Sequence, residues 1–259
     1  GGGGGGETVA VGNLCVRVRR GEVLGLLGAN GAGKSTALSC AHRALLPTCG
    51  DVRVEGRSVL EDFAGAASHL GVVTQHNTLW DNLSCEGHLR LFAWIRGVPA
   101  LHVSQVVESK LYEMDLWEHR LKLAKRLSGG MRRKLCVAIA LVGDPKVVLL
   151  DEPSAGLDPV SRRHLWETLR RTMGARAVLL TTHSMEEAEA LCSRVGIMVR
   201  GELRALGSPN ELKRSFGAGY EVSANLCLHG TSPSPPGQRQ EAARQEGGLG
   251  AGGTAAVAS

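Results

Sequence analysis

Residues 28–35 read Gly-Ala-Asn-Gly-Ala-Gly-Lys-Ser, a glycine-rich loop that ends on a cation and a hydroxyl. That combination suits the grip of a polyphosphate. Glycines let successive backbone N–H groups turn inward toward phosphate oxygens, and a helix starting after the loop adds the partial positive charge of its N-terminus. Lys34 has the reach for β- and γ-phosphates, and the Ser35 hydroxyl can ligate Mg²⁺. A flexible glycine turn is the plain alternative. The apolar run Val23–Leu27 ahead of the loop and a helix-compatible segment after it favour nucleotide binding, because strand, loop and helix in that order build the cradle.

Two carboxylates, Asp151 and Glu152, follow the apolar run of residues 146–150. In parallel α/β sheets ligands bind beyond the carboxyl ends of the strands, the edge at which the phosphate loop also opens. Asp151 is then placed to hold Mg²⁺, directly or through water, and Glu152 to orient and polarise an attacking water. Alone the two would read as solvated loop carboxylates; beside a phosphate loop the catalytic reading prevails. His183 ends the predicted strand 177–182, where a γ-phosphate would sit. It leads into Ser184-Met185-Glu186-Glu187, a capping box for the next helix. Gln75 closes the predicted strand 69–75 in the same way, with an amide able to touch Mg²⁺ or the attacking water.

A second glycine-rich turn, Leu127-Ser128-Gly129-Gly130-Met131, stands at the head of a predicted helix and offers a second anion site. It reads equally well as a linker. Two phosphate grips on one chain are redundant for one nucleotide. A head-to-tail dimer resolves the redundancy, since the turn can close over the γ-phosphate held by a partner. Asp158-Pro159 reads as a helix N-cap followed by proline at the first helical position, which is compatible with a place at such an interface.

These residues need elements to hold them. Alternation predicts strands over 14–18 and 22–27, a helix from Ser35 to about Leu46 ended by Pro47, and short strands over 51–54 and 69–75. From about 82 to 126 the periodicity is helical, and helix signals resume after Gly130. The continuous apolar run 146–150 is typical of a strand buried on both faces. Helix (160–173), strand (177–182), helix (185–192) and strand (194–199) follow. Strands alternating with helices imply a parallel sheet covered on both sides, interrupted by an inserted helical block.

Composition narrows the class. At 259 residues the chain has room for one large α/β domain or two small ones. Aromatic residues make up 3%, so Leu, Val and Ala must fill the core. The formal charge of +5 is dispersed and forms no basic stripe, which argues against nucleic acid as a partner. Seven cysteines form no Cys-x-x-Cys pair, which fits a reducing compartment better than a disulfide or metal framework. No apolar run approaches the roughly 18 residues of a membrane span. Residues 1–6 are polyglycine rather than a signal peptide, and they and a Pro/Gly/Ala-rich tail over 222–259 are expected to be disordered, leaving a soluble domain over 7–221.

Taken together, these stretches resemble the nucleotide-binding domain of ATP-binding cassette (ABC) transporters. Gly28, Asn30, Gly31, Ala32, Gly33, Lys34, Ser35 and Thr36 look like its Walker A loop, Gln75 like the Q-loop, and Leu127–Met131 like the signature motif. Val147–Glu152 resembles Walker B with its catalytic glutamate, Ala155–Asp158 the D-loop, and His183 the switch histidine. Six motifs in family order cover about residues 10–220. Gln75–Asp81, Ser128–Leu135 with Met131, and Phe216–Tyr220 are similar to subfamily A, the branch associated with export of lipids and other amphipaths. Ala29 stands where the family usually has proline and Ser154 where it usually has threonine, both tolerable. The family also places an aromatic residue ahead of the first strands to stack on adenine, and here only Phe63 precedes Trp80. The resemblance thus covers the phosphates and not the base.

It implies a P-loop NTPase core with a mainly parallel sheet, an N-terminal antiparallel β-subdomain and a helical subdomain at about 76–135. The implied ligands are ATP and Mg²⁺, with Ser35, Gln75 and Asp151 at the metal, Glu152, His183 and Gln75 in catalysis, and Ser128, Gly129, Gly130 and Asp158 across a dimer of two such domains. Transmembrane domains, in the same or another chain, would be the further partners, contacted through the block after Gln75 that includes Leu79 and Trp80. That places the domain at the cytoplasmic face of a membrane. Two rivals share the core. A ribosome- or DNA-associated cassette would carry a second cassette or a long coiled coil, whereas about ninety residues separate Lys34 from Ser128. A binding-only cassette would hold ATP and hydrolyse it poorly, against which Glu152 and His183 both speak.

Overall fold

The computed structural model describes residues 9–216. In chain order the elements are β1 (Val23–Leu27), α1 (Lys34–Ala41), β2 (Arg53–Val54), β3 (Arg57–Ser58), α2 (Phe63–Ser68), β4 (Leu70–Val73), α3 (Cys85–Ile95) and α4 (Ala100–Glu113). After two 3₁₀ turns (Trp117–His119 and Ala124–Arg126) come α5 (Gly129–Ala140), β5 (Val147–Asp151), α6 (Pro159–Met173), β6 (Ala177–Thr182), α7 (Met185–Leu191), β7 (Arg194–Val199), β8 (Glu202–Gly207) and α8 (Pro209–Phe216).

Six strands form one sheet in the order β4-β5-β6-β1-β7-β8. All neighbours pair in parallel except β7 and β8. The parallel register sets Leu27 beside Thr182 and Asp151 beside Thr181. The loop after β1 and the ends of β5 and β6 therefore leave the sheet at one edge, where ligands bind in such sheets.

The apolar run of β5 reports its surroundings. Val148 and Leu150 join one buried cluster with α3, α4, α5 and α6, while Leu149 points the opposite way into a second cluster with Leu38, Val54 and Ala66. Side chains alternate across a strand, so only a strand covered on both faces can be apolar throughout. Helix α6 buries Leu165, Leu169 and Met173 at four-residue spacing, with Thr168 and Thr172 on the same stripe. Asp158 caps it by accepting from the amides of Val160 and Ser161, with Pro159 at the first helical position. Ser184 caps α7, but the box is half formed: Glu187 accepts from the indole N–H of Trp166, and the Ser184 amide donates to Thr182 Oγ1.

Several expected elements differ. Residues 14–18 are no strand; their side chains do alternate, with Leu14, Val16 and Val18 turned inward, but the backbone has no ladder partner. They line a cavity of about 690 Å³ together with Ala37, Leu149 and Leu179. The antiparallel element near the N-terminus is the pair β2–β3, with Arg53 opposite Ser58. Helix α1 ends at Ala41, five residues early. Arg43 adopts the left-handed conformation (φ 60°), its amide bonds Cys40 and that of Ala44 bonds Ser39, a Schellman stop made without glycine. The helical block breaks at Gly97 (φ 72°) and Pro99 into α3 and α4. Elements α2, β3, β8 and α8 were not expected. Residues 1–8, the tail and positions 217–220 of the Phe216–Tyr220 stretch lie outside the described residues. Among the described residues no helix is long and apolar enough to cross a membrane.

Candidate functional site

The loop of residues 28–33 is shaped by close approach from behind. A Cβ on Gly28 would come within 2.5 Å of the Met198 carbonyl oxygen, and one on Gly33 would run into that of Ala10. Gly31 and Gly33 have φ of 80° and 96°, which only glycine adopts without strain. The loop is braced there by hydrogen bonds from the Gly201 amide to Ala32 O (3.0 Å) and from the Gly12 amide to Gly201 O (2.8 Å). Gly33 serves as N-cap of α1 and offers no side-chain acceptor, so the first-turn amides are left for an anion. Lys34 is buried and folds back to donate to Gly28 O (2.8 Å) and Ala29 O (3.0 Å).

The end of β5 meets this loop. Ser35 Oγ donates to Asp151 Oδ1 at 3.0 Å, and the Thr181 hydroxyl donates to the same oxygen. Glu152 is buried at φ 43°, its amide donating to both the carbonyl and the hydroxyl of Thr181. Its carboxylate faces the Lys34 ammonium, with Nζ 3.9 Å from Oε1, and the His183 imidazole, with Nδ1 3.3 Å from Oε2. Thus Lys34, Ser35, Asp151, Glu152 and His183, each singled out in the sequence, converge on one edge.

The Gln75 carbonyl joins them through Arg133, which lies within the Ser128–Leu135 stretch but was given no role of its own there. Arg133, on α5, is 3% exposed, and its guanidinium donates only to neutral acceptors. One nitrogen reaches Thr74 O (2.6 Å), Gln75 O (3.3 Å) and Asn77 Oδ1 (3.5 Å). The others reach Pro153 O (2.7 Å), Asp151 O (2.8 Å) and Glu152 O (3.2 Å). Burial pulls its pKa down. The available signal was its place on the helix face shared with Val137 and Ala140, where an arginine is out of pattern. Thr181 was missed as well, although it lies in register with Asp151.

The Ser128 turn lies elsewhere. Ser128 caps α5 by accepting from the Met131 amide at 3.2 Å. Gly129 and Gly130 face Leu157 and Ser161 at the start of α6, which brings the turn beside Asp158. Among the described residues no hydrogen bond joins it to the phosphate loop. Hydrogen bonds from Ser161, and to a lesser extent from the Val160 amide, hold the Asp158 carboxyl below its ordinary pKa.

The donor set suits Mg²⁺. A hydroxyl and a carboxylate oxygen 3.0 Å apart are hard ligands beside a phosphate cradle, and Mg²⁺ is commonly held by one or two such groups together with substrate phosphates. Among the described residues no group of three or more His, Cys, Asp and Glu side chains could hold a metal unaided. Phe63, the one aromatic ahead of Trp80, packs on the second core cluster and carries the Arg43 guanidinium 5.2 Å over its ring.

A family model described as "ABC transporter" matches residues 11–155. ABC transporter A family member 9 of Dictyostelium discoideum is 44% identical over 217 residues, covering 84% of this chain and 26% of that protein. ABC transporter A family member 2 of Arabidopsis thaliana is 43% identical, covering 82% and 22%. The human phospholipid-transporting ATPase ABCA3 is 42% identical, covering 86% and 13%. The chain thus spans about a quarter or less of the length of these curated relatives. A solved structure of the ATP binding subunit of an ABC transporter superposes with a TM-score of 0.72 at 28% identity, over 82% of this chain and 90% of that one. With more than half of its length matched by the family model, the chain belongs to the ABC transporter family, in which it is a nucleotide-binding domain of the A-family type.

Proposed function

We propose that the chain is a motor domain that binds ATP with Mg²⁺, hydrolyses it in a head-to-tail dimer, and drives lipid or amphipath movement through transmembrane domains at the cytoplasmic face of a membrane. The observation that carries this reading is the convergence of Lys34, Ser35, Asp151, Glu152 and His183 at the edge where the phosphate loop opens.

In this reading the loop amides of residues 28–36 and Lys34 hold the phosphates. Ser35, Asp151 and Gln75 would hold Mg²⁺, which would supply charge neutralisation at the phosphates. Glu152 orients and polarises the attacking water, and His183 and Gln75 stabilise charge that develops on the transferring group. Ser128, Gly129, Gly130 and Asp158 belong to the partner-facing surface. This explains why an uncapped anion site and a capped glycine turn occur on one chain without meeting. The contact for membrane helices is the segment after Gln75. Trp80 is 53% exposed there while stacked on His88 and Phe92, and an exposed indole on a rigid base suits a docking surface.

Changing Glu152 to Gln tests the assignment. The variant should bind ATP within about threefold of the parent and lose at least about a hundredfold in phosphate release. Normal release by the variant defeats the assignment of Glu152. A parent chain that binds ATP without turnover would favour the binding-only cassette.

A further inference from the structure

Arg133 is a buried cation whose partners are all uncharged: five backbone carbonyls and one amide oxygen. Burying a charge that has no bonded ionic partner is costly, so a cation at this place calls for a use that a neutral side chain could not supply. Its geometry suggests one. The guanidinium is a planar fork of five N–H donors, and here the fork spans the ends of two adjacent strands. Residues 74–75 continue β4 and residues 151–153 end β5, paired through Val73 and Leu150. One strip carries Gln75 and the other carries Asp151 and Glu152. The arginine itself sits on α5, five residues after the cap Ser128, a distance of about 7 Å along a rigid helix.

We propose that Arg133 is a positioning residue that locks α5 to both strips. Any shift of Gln75 and Glu152 in the chain's own site then moves Ser128, the group that faces a nucleotide held by the partner. The inference rests on the head-to-tail reading above and adds the part that makes the two sites of a dimer move as one. Hydrogen bonds to carbonyls weaken steeply with distance and angle, so the bridge is complete only while both strips keep their spacing. That makes it sensitive to where they stand.

The test uses mixed dimers of the whole chain, one protomer unaltered and the other carrying Glu152→Gln. The only site that turns over is then built from the unaltered protomer's Lys34 and Glu152 and the partner's Ser128. Adding Arg133→Gln to the Glu152→Gln protomer touches no catalytic group of that site. Turnover should fall at least tenfold while the unaltered protomer's ATP affinity stays within threefold. Unchanged turnover overturns the proposal. Leu165→Ala placed in the same protomer lowers stability without touching the bridge and should leave turnover intact; an equal fall would reduce Arg133 to a structural role. Ser128→Arg in that protomer should abolish turnover. Survival of activity there defeats the dimer reading itself, a separate failure. Should Arg133→Gln not fold, Arg133→Lys keeps the charge on one ammonium that cannot reach both strips. The same tenfold fall is expected, and full activity overturns the idea.

Discussion

His183 Nδ1 stands 3.3 Å from Glu152 Oε2, so the exposed imidazole and the buried carboxylate act on the same small volume beyond β5 and β6. The histidine reaches in from the start of α7, and the glutamate is held by a left-handed turn fastened to Thr181. Replacing His183 with Ala should lower kcat about a hundredfold, as loss of one transition-state donor does. The KM for ATP should change less than about threefold. A steady-state titration decides it: a raised KM with unchanged kcat would make His183 a binding residue only.

Ser35 and Asp151 share a hydrogen bond at 3.0 Å and are both assigned to the metal. Ser35→Ala removes one hard ligand and leaves the carboxylate. The Mg²⁺ concentration for half-maximal turnover should rise about tenfold, the equivalent of roughly 1.4 kcal/mol. Chelating Mg²⁺ should abolish turnover in both proteins. An unchanged Mg²⁺ dependence would remove Ser35 from the metal site.

Two glycines of the loop separate backbone strain from lack of space. Gly31 has φ 80° and nothing within 4 Å of the place an added methyl would take, whereas Gly33 has φ 96° and the Ala10 carbonyl in the way. Gly31→Ala should cost about 1 kcal/mol of stability, the strain of a left-handed residue. Gly33→Ala should cost about 3 kcal/mol or more, because the Ala10 segment must also move. Urea unfolding of the two variants measures both; equal losses would refute the steric account.

His88 sets a pH dependence. Its Nδ1 donates to Ser84 O at 2.8 Å and its Nε2 accepts from the Trp80 amide at 3.0 Å, a pattern only the neutral ring can satisfy. Burial lowers its pKa below the ordinary 6.5, and burial lowers that of His42 too. The unfolded chain then takes up protons that the folded chain refuses. The stability due to the neutral rings is complete above about pH 6.5 and is lost as pH falls below it. The melting temperature should drop between pH 7 and 5.5, with a shallower drop in His88→Gln. Parallel profiles would exclude His88 as a source.

What could be read from residue order was whatever carries its own surroundings in its composition. The β5 run is apolar throughout because it lies between two clusters, and the loop at 28–35 needs only its glycines and Lys34. Where a partner elsewhere decides, the order was silent. Leu14, Val16 and Val18 alternate like a strand, yet a ladder depends on a neighbouring backbone that is not there. Strand β8 alternates just as well, with Leu203 and Ala205 turned inward, and it forms because β7 lies beside it. Arg43 ends a helix in a conformation no arginine advertises. Arg133 reads as one more charge in a basic stretch until the fold closes around it.

The bracing behind the phosphate loop works as a keystone, wedged among Ala10, Gly12, Met198 and Gly201. Any movement of the loop is therefore passed to the Gly201 amide, bonded to Ala32 O, and through Gly201 O to the Gly12 amide. Slower hydrogen exchange at Gly12 and Gly201 would register occupancy from the rear, a reporter that leaves the cleft unlabelled and free to close.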